Sequence, residues 1–177
     1  MLYKNQLAPE FVINSINEQP IDLYGFRGKK VLLKFHRFSG CPVARSQINE
    51  FMKRQKELNA AGIETIVFLH NSKDKVRSVW QERPGLHIVA DKQKEIYKLF
   101  QSEFRISKLF SISSWAATFR AFFHGYFPLF NRFQGGIVGL PSDFLIDEYS
   151  MIRELHYGRH FGDSWMASDV LEKLKAS

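Results

Sequence analysis

At 177 residues the chain fits one domain and is long enough to close a core without disulfides or metals as staples. Its 45% apolar and 24% charged residues are ordinary for a soluble globular protein, and its single cysteine excludes an internal disulfide, which fits a reducing compartment. The formal charge of +7 is spread along the chain, with no basic tail and no nucleic-acid-binding motif, so nucleic acid is not an expected partner.

The opening run, Met1-Leu2-Tyr3-Lys4-Asn5-Gln6, lacks the apolar centre of a signal peptide, and no uncharged apolar run reaches the roughly 20 residues of a membrane span. A cytoplasmic protein is expected. Phe11-Val12-Ile13 and Ile21-Asp22-Leu23 read as short strands joined by the polar turn Asn17-Glu18-Gln19-Pro20. Gly28-Lys29-Lys30 leads into Val31-Leu32-Leu33-Lys34-Phe35, an apolar run suited to a buried strand. The turn Ser39-Gly40 then delivers Cys41-Pro42. From there Ala44, Ile48, Phe51, Met52 and Leu58 recur at helical spacing as far as Ala61-Gly62. Pro42 suits a first helical turn, where its missing N–H costs nothing.

A second unit repeats this pattern. Ile63 to Leu69 is an apolar strand, Ser72 to Arg83 a helix with Val76, Val79 and Trp80 on one side, and Leu86-His87-Ile88-Val89 another strand after Pro84-Gly85. Glu95 to Gln101 reads as a short helix. Asp143-Phe144-Leu145-Ile146-Asp147 and Met151-Ile152-Arg153-Glu154-Leu155 form a hairpin about Glu148-Tyr149-Ser150, and a last helix runs from about Trp165 to Leu174. The order β-α-β-α-β, hairpin, helix predicts an α/β domain over residues 1–177: a central mixed sheet flanked by helices on both faces.

Residues 102–139 form an aromatic-rich insertion within that domain. From Phe104 to Ser142 there is no acidic residue, and eight of the 17 Phe lie there, while Trp115, Phe119, Phe122 and Tyr126 fit one side of a helix. A helical subdomain packed on the sheet, a homodimer surface through 104–133, and a membrane-surface element are the three readings of this stretch.

Cys41 carries the chemistry. A thiol at a helix N-terminus lies where free backbone N–H groups and the helix dipole favour negative charge, and the thiolate is the nucleophile. His36, Arg37 and Arg45 are close in sequence, with Arg45 one helical turn beyond Cys41.

Ala8-Pro9-Glu10-Phe11, the run from Gly28 to Phe35, Gly40-Cys41-Pro42 and Phe144-Leu145-Ile146-Asp147 resemble the AhpC/TSA peroxiredoxin family, in the right order over nearly the whole chain. The stretch from Gly139 through Asp147 to Tyr157-Gly158-Arg159-His160 is similar to a peroxiredoxin-like branch of it. The resemblance implies a thioredoxin-like fold, with Cys41 as a peroxidatic cysteine that becomes a sulfenic acid. It also implies a peroxide or disulfide as substrate. With no second cysteine, an external thiol, glutathione or thioredoxin-like, is the implied reductant.

Three positions depart from the family pattern. Phe38 stands where a Thr or Ser is usual, Lys34 where a Pro is usual, and Pro141 where the family has an arginine. Ser39, one place off, is a candidate substitute for the hydroxyl, and Arg37, Arg45, Arg153 and Arg159 are candidates for the cation that polarises the peroxide. Read as a thioredoxin, Cys41-Pro42-Val43-Ala44 is a Cys-x-x-Cys motif with Ala44 in place of the second thiol, and Leu140-Pro141 falls where a cis-proline faces the active site.

Cys41 is therefore the expected catalytic residue, supported by Arg37, Ser39, Pro42, Arg45, Pro141 and Arg159. No cofactor and no metal is expected: His156 and His160 would have to converge with Cys41 or a carboxylate, and Gly158 between them points to a strand end and loop. A non-catalytic thioredoxin-fold module that binds a partner through the aromatic insertion is the alternative to the redox enzyme.

Overall fold

The computed structural model describes residues 1–102, 119–120, 122–125 and 139–175. Five strands form one sheet in the order β5-β4-β3-β6-β7. They are β3 (Lys30–His36), β4 (Ile63–Leu69), β5 (Leu86–Ala90), β6 (Ser142–Ile146) and β7 (Ile152–Tyr157). A separate hairpin pairs β1 (Val12–Asn14) with β2 (Pro20–Asp22). The central strand β3 runs parallel to β4 and antiparallel to β6, and β7 is antiparallel to β6, so the sheet is mixed. This is the mixed sheet expected from the order of elements, and it agrees with the thioredoxin-like fold that the family resemblance implies.

Strand β3 is buried from Val31 to His36 because both of its faces are covered. Val31, Leu33 and Phe35 meet Ile66, Phe68, Phe100 and Phe144 on one face, closed by Phe11, Ile21 and Leu23 of the β1–β2 region and by α3 (Glu95–Leu99). On the other face lie α1 (Pro42–Ala60), α2 (Lys73–Arg77) and α4 (Ala167–Lys175). Leu32 and Leu145 pack there with Phe51, Leu58 and Val170, and Val67 and Leu69 with Ile48, Val76 and Trp80.

Three helices are shorter than their sequence pattern, α3 ending at Leu99 instead of Gln101, whose φ of 53° is left-handed. Helix α2 stops at Arg77 instead of Arg83. The Ser78 hydroxyl donates back to the Lys75 carbonyl at 2.9 Å, Trp80 turns inward to be buried, and Pro84 disfavours helical backbone before it. Helix α4 starts at Ala167 and not at Trp165, because Trp165 spends both its backbone groups on Asp143 and Lys34.

Helix α3 ties down the carboxyl ends of the central strands. The Asp91 carboxylate accepts from the backbone N–H groups of Glu95 and Ile96, and Tyr97 Oη donates to the carbonyls of His36 (2.5 Å) and Phe68 (2.8 Å). The end of β3 leads directly to the loop bearing Cys41. The predicted insertion at 102–139 lies almost wholly outside the described residues. Within it, residues 119–120 and 122–123 are helical, with Phe119 and Phe123 exposed at 59% and 83%.

Candidate active site

The chain leaves β3 through Arg37-Phe38-Ser39-Gly40 and enters α1 at Cys41. A tight turn, closed by the Cys41 N–H on the Phe38 carbonyl at 3.0 Å, makes Cys41 the residue preceding the first helical position, which Pro42 occupies. The Cys41 carbonyl accepts the first helical bond, from Arg45 N–H at 2.9 Å. Its side chain makes no capping hydrogen bond. The sulfur faces Arg37 instead, with Nη1 at 3.9 Å.

Cys41 is 3% exposed and packs with Phe38, Val43 and Ala44. Arg37 is 8% exposed, and its guanidinium lies over two aromatic faces: Phe161 at 3.9 Å and Phe38 at 5.3 Å. Burial pushes the Arg37 pKa down, while charge on Cys41 and the N–H···S contact work against that. A guanidinium begins so high that it remains a cation at neutral pH. The arrangement therefore sets a fixed positive charge against a sulfur in a poorly solvated pocket, where it acts more strongly than in water.

The other predicted residues divide by position. Ser39 is buried in the same loop, but its hydroxyl turns to the Lys75 carbonyl (3.5 Å) and its N–H to Asn71 Oδ1 (2.5 Å), which pins the loop to the segment before α2. Arg45 is half-buried on the first turn of α1. Arg153 lies at the opposite end of the sheet, paired with Asp147 at 2.7 Å. Arg159 is 75% exposed in its side chain and pairs with Asp163 at 3.5 Å.

Pro141 immediately precedes Ser142, which pairs with Phe35, so it lies at the same end of the sheet as Cys41. The expected cis bond is not there: no peptide is cis among the described residues. Pro141 instead continues the β6–β7 ladder, its carbonyl accepting Gly158 N–H at 2.8 Å, and extended trans backbone delivers that bond. Gly158 has no room for a side chain, since a Cβ would come within 2.4 Å of the Asp163 carbonyl oxygen and 2.8 Å of that of Pro141.

Behind the loop is a charged cluster that sequence reading missed. Lys34 and Asp143 are adjacent partners across β3 and β6, both fully buried, with Nζ and Oδ1 2.6 Å apart. Lys34 also donates to Ser164 Oγ (2.9 Å) and the Trp165 carbonyl (2.8 Å) and sits 4.3 Å over the Phe51 ring. Asp143 accepts from Ser164 Oγ and Trp165 N–H. Every polar group of the pair is thus used, which is what makes such burial tolerable. A charged residue in the middle of an apolar strand was visible in sequence. Its register partner was not.

His36 lies two residues beyond Lys34 on the same face. Burial first, and then the Lys34 charge, hold its pKa well below the ordinary value. The two histidines weighed as ligands hold the loop after β7: on β7, His156 Nε2 is 2.9 Å from Asp163 Oδ1 with its ring stacked on Trp165, and in the loop His160 Nδ1 accepts Gly162 N–H.

The AhpC/TSA family model matches residues 5–155. The chain belongs to the AhpC/TSA family. Peroxiredoxin 2 of Thermoplasma acidophilum is 33% identical over 105 residues, which cover 54% of this chain and 51% of that protein. This AhpC/TSA chain thus spans about half the length of the curated relative it matches. Among solved structures, a yeast mitochondrial 1-Cys peroxiredoxin is similar with a TM-score of 0.70 at 18% identity, covering 99% of this chain and 76% of that one. A reduced 2-Cys peroxiredoxin of Plasmodium vivax reaches 0.71, also at 18% identity, covering 99% and 96%. At such identities the likeness shows the fold.

Proposed function

We propose that this chain is a one-cysteine peroxidase in which the Cys41 thiolate reduces a hydroperoxide, with Arg37 in place of the arginine that the family carries at the position of Pro141. The Arg37 guanidinium 3.9 Å from the Cys41 sulfur carries this reading. The thiolate sulfur attacks one peroxide oxygen and the O–O bond breaks. The departing oxygen takes a proton and leaves as water or an alcohol, while the sulfur, oxidised by two electrons, becomes a sulfenic acid. Negative charge moves from sulfur to the leaving oxygen, so a buried cation beside both is the stabiliser the step requires.

Restoring the thiol takes two equivalents of an external thiol. The first condenses with the sulfenic acid, releasing water and leaving a mixed disulfide. The second attacks that disulfide at the reductant's sulfur, returning the Cys41 thiol and releasing the two reductant sulfurs joined as a disulfide. Glutathione or a thioredoxin-like protein is the proposed reductant. The yeast 1-Cys peroxiredoxin is described as resolved through glutathione and thioredoxin systems, which supports this choice.

Brief exposure to dilute hydrogen peroxide, trapping with a sulfenic-acid reagent and mass spectrometry of the Cys41 peptide test the first step. The adduct of the trapping reagent at Cys41 is expected, and an unmodified thiol contradicts the reading.

A second reading rests on the exposure of Phe119 and Phe123. Apolar rings held in water on a helix favour association, and a second copy of the chain is the proposed occupant. Sedimentation of Phe123→Asp would then show a smaller species than wild type at equal concentration. An unchanged distribution removes that reading.

A further inference from the structure

We propose that Phe161 is a positioning residue whose ring holds the Arg37 guanidinium against the Cys41 sulfur. The inference rests on the reading of Cys41 as the reacting group. The Phe161 ring lies 3.9 Å from the Arg37 guanidinium carbon, well inside cation–π range, with Phe38 on that side chain at 5.3 Å. Arginine is long and rotamer-rich, and a cation serves a thiolate only while it stays in place. A carboxylate in the place of Phe161 would hold Arg37 but cancel its field at the sulfur. An aromatic face holds it by stacking and adds no opposing charge.

The loop carrying Phe161 is built for placement. Gln47 of α1 donates to the Gly162 carbonyl at 3.2 Å, so the loop is fastened to the helix that starts at Cys41. The Asp163 carboxylate takes the Arg159 N–H at 2.7 Å and closes the turn around Phe161. On its far side the chain is anchored at Ser164 and Trp165 by Lys34 and Asp143, the fully buried pair on β3 and β6. Strand β3 leads to Arg37, so one cluster references both ends of the stacked pair to the same strand. The ring itself is half-buried and belongs to none of the apolar core clusters.

Alkylation of Cys41 by iodoacetamide tests this without requiring peroxide chemistry. Rates are measured at neutral pH for wild type, Phe161→Leu, Phe161→Tyr, Arg37→Gln and the double variant Arg37→Gln/Phe161→Leu, each checked by thermal melting. Phe161→Leu is expected to react about three- to tenfold more slowly, with Phe161→Tyr restoring the rate. The double variant should be no slower than Arg37→Gln alone, because Phe161 acts only through that cation. Four results overturn the inference: a wild-type rate in Phe161→Leu, equal slowing in Leu and Tyr variants, independent multiplication of the two losses, or a wild-type rate in Arg37→Gln. Should the Leu variant melt early, Phe161→Met takes its place under the same criteria. Wild-type Cys41 that alkylates but resists peroxide would end the peroxidase reading while leaving Phe161 to be judged by these rates.

Discussion

Cys41 and Arg37 show how local sequence and tertiary contact divide the work at this site. The helix start was legible, because Gly40, Cys41 and Pro42 follow a buried strand and precede an apolar helical repeat. What sequence spacing suggested, a sulfur held by backbone N–H groups, gives way to a sulfur facing a guanidinium four residues back, with no capping bond. Among the four candidate arginines, spacing had no means of choosing, since Arg153 and Arg159 are withdrawn by Asp147 and Asp163, partners defined only in the fold. Replacing Arg37 by Gln is expected to slow Cys41 oxidation by hydrogen peroxide about 10- to 100-fold, as loss of one charged donor from a dry site does. Stopped-flow oxidation kinetics check this. His36 supplies a prediction about pH. Its folded-state pKa is depressed, so below the unfolded value near 6.5 the unfolded chain binds a proton the native chain refuses. The native state therefore keeps its full stability above that pH and loses it as the pH falls toward the lower folded value. Urea midpoints between pH 7 and 5 should fall less steeply for His36→Gln than for wild type.

Elements were legible wherever periodicity is strong. The buried strand β3, the long helix α1 and the β6–β7 hairpin match their sequence readings within a residue or two, because apolar spacing and turn residues dominate there. The ends of α2 and α4 were not, since Ser78, Trp80 and Trp165 answer to partners far away in sequence or to their own backbone bonds. The Lys34–Asp143 bridge was hidden for the same reason: its 109-residue separation is closed only by β3–β6 register. Breaking it with Lys34→Met leaves a buried carboxylate without its cation and should cost about 3–5 kcal/mol in denaturant unfolding. Replacing both residues by apolar ones of similar size should recover most of that stability. It should not restore Cys41 reactivity, because Ser164 and Trp165 lose their anchor. Gly158→Ala pushes a methyl group into two backbone carbonyls and is expected to destabilise by about 1–3 kcal/mol.

At the scale of the molecule, the order of elements sufficed for the mixed sheet with helices on both faces, since parallel pairing through α1 and antiparallel return through a hairpin leave few topologies. The frame brings the carboxyl ends of β3 and β4, the start of β6 and the Phe161 loop to one end, and places Arg153 at the other. Position in this frame explains how a chain without the family's hydroxyl before the cysteine, and with Pro141 in place of its arginine, still brings a cation to the thiol. The direct test is hydrogen peroxide consumption in the presence of excess glutathione or a thioredoxin system, for wild type, Cys41→Ser and Arg37→Gln. Turnover by wild type, none by Cys41→Ser and a slowed rate in Arg37→Gln are expected. A wild-type rate no faster than that of Cys41→Ser with either reductant would contradict the account.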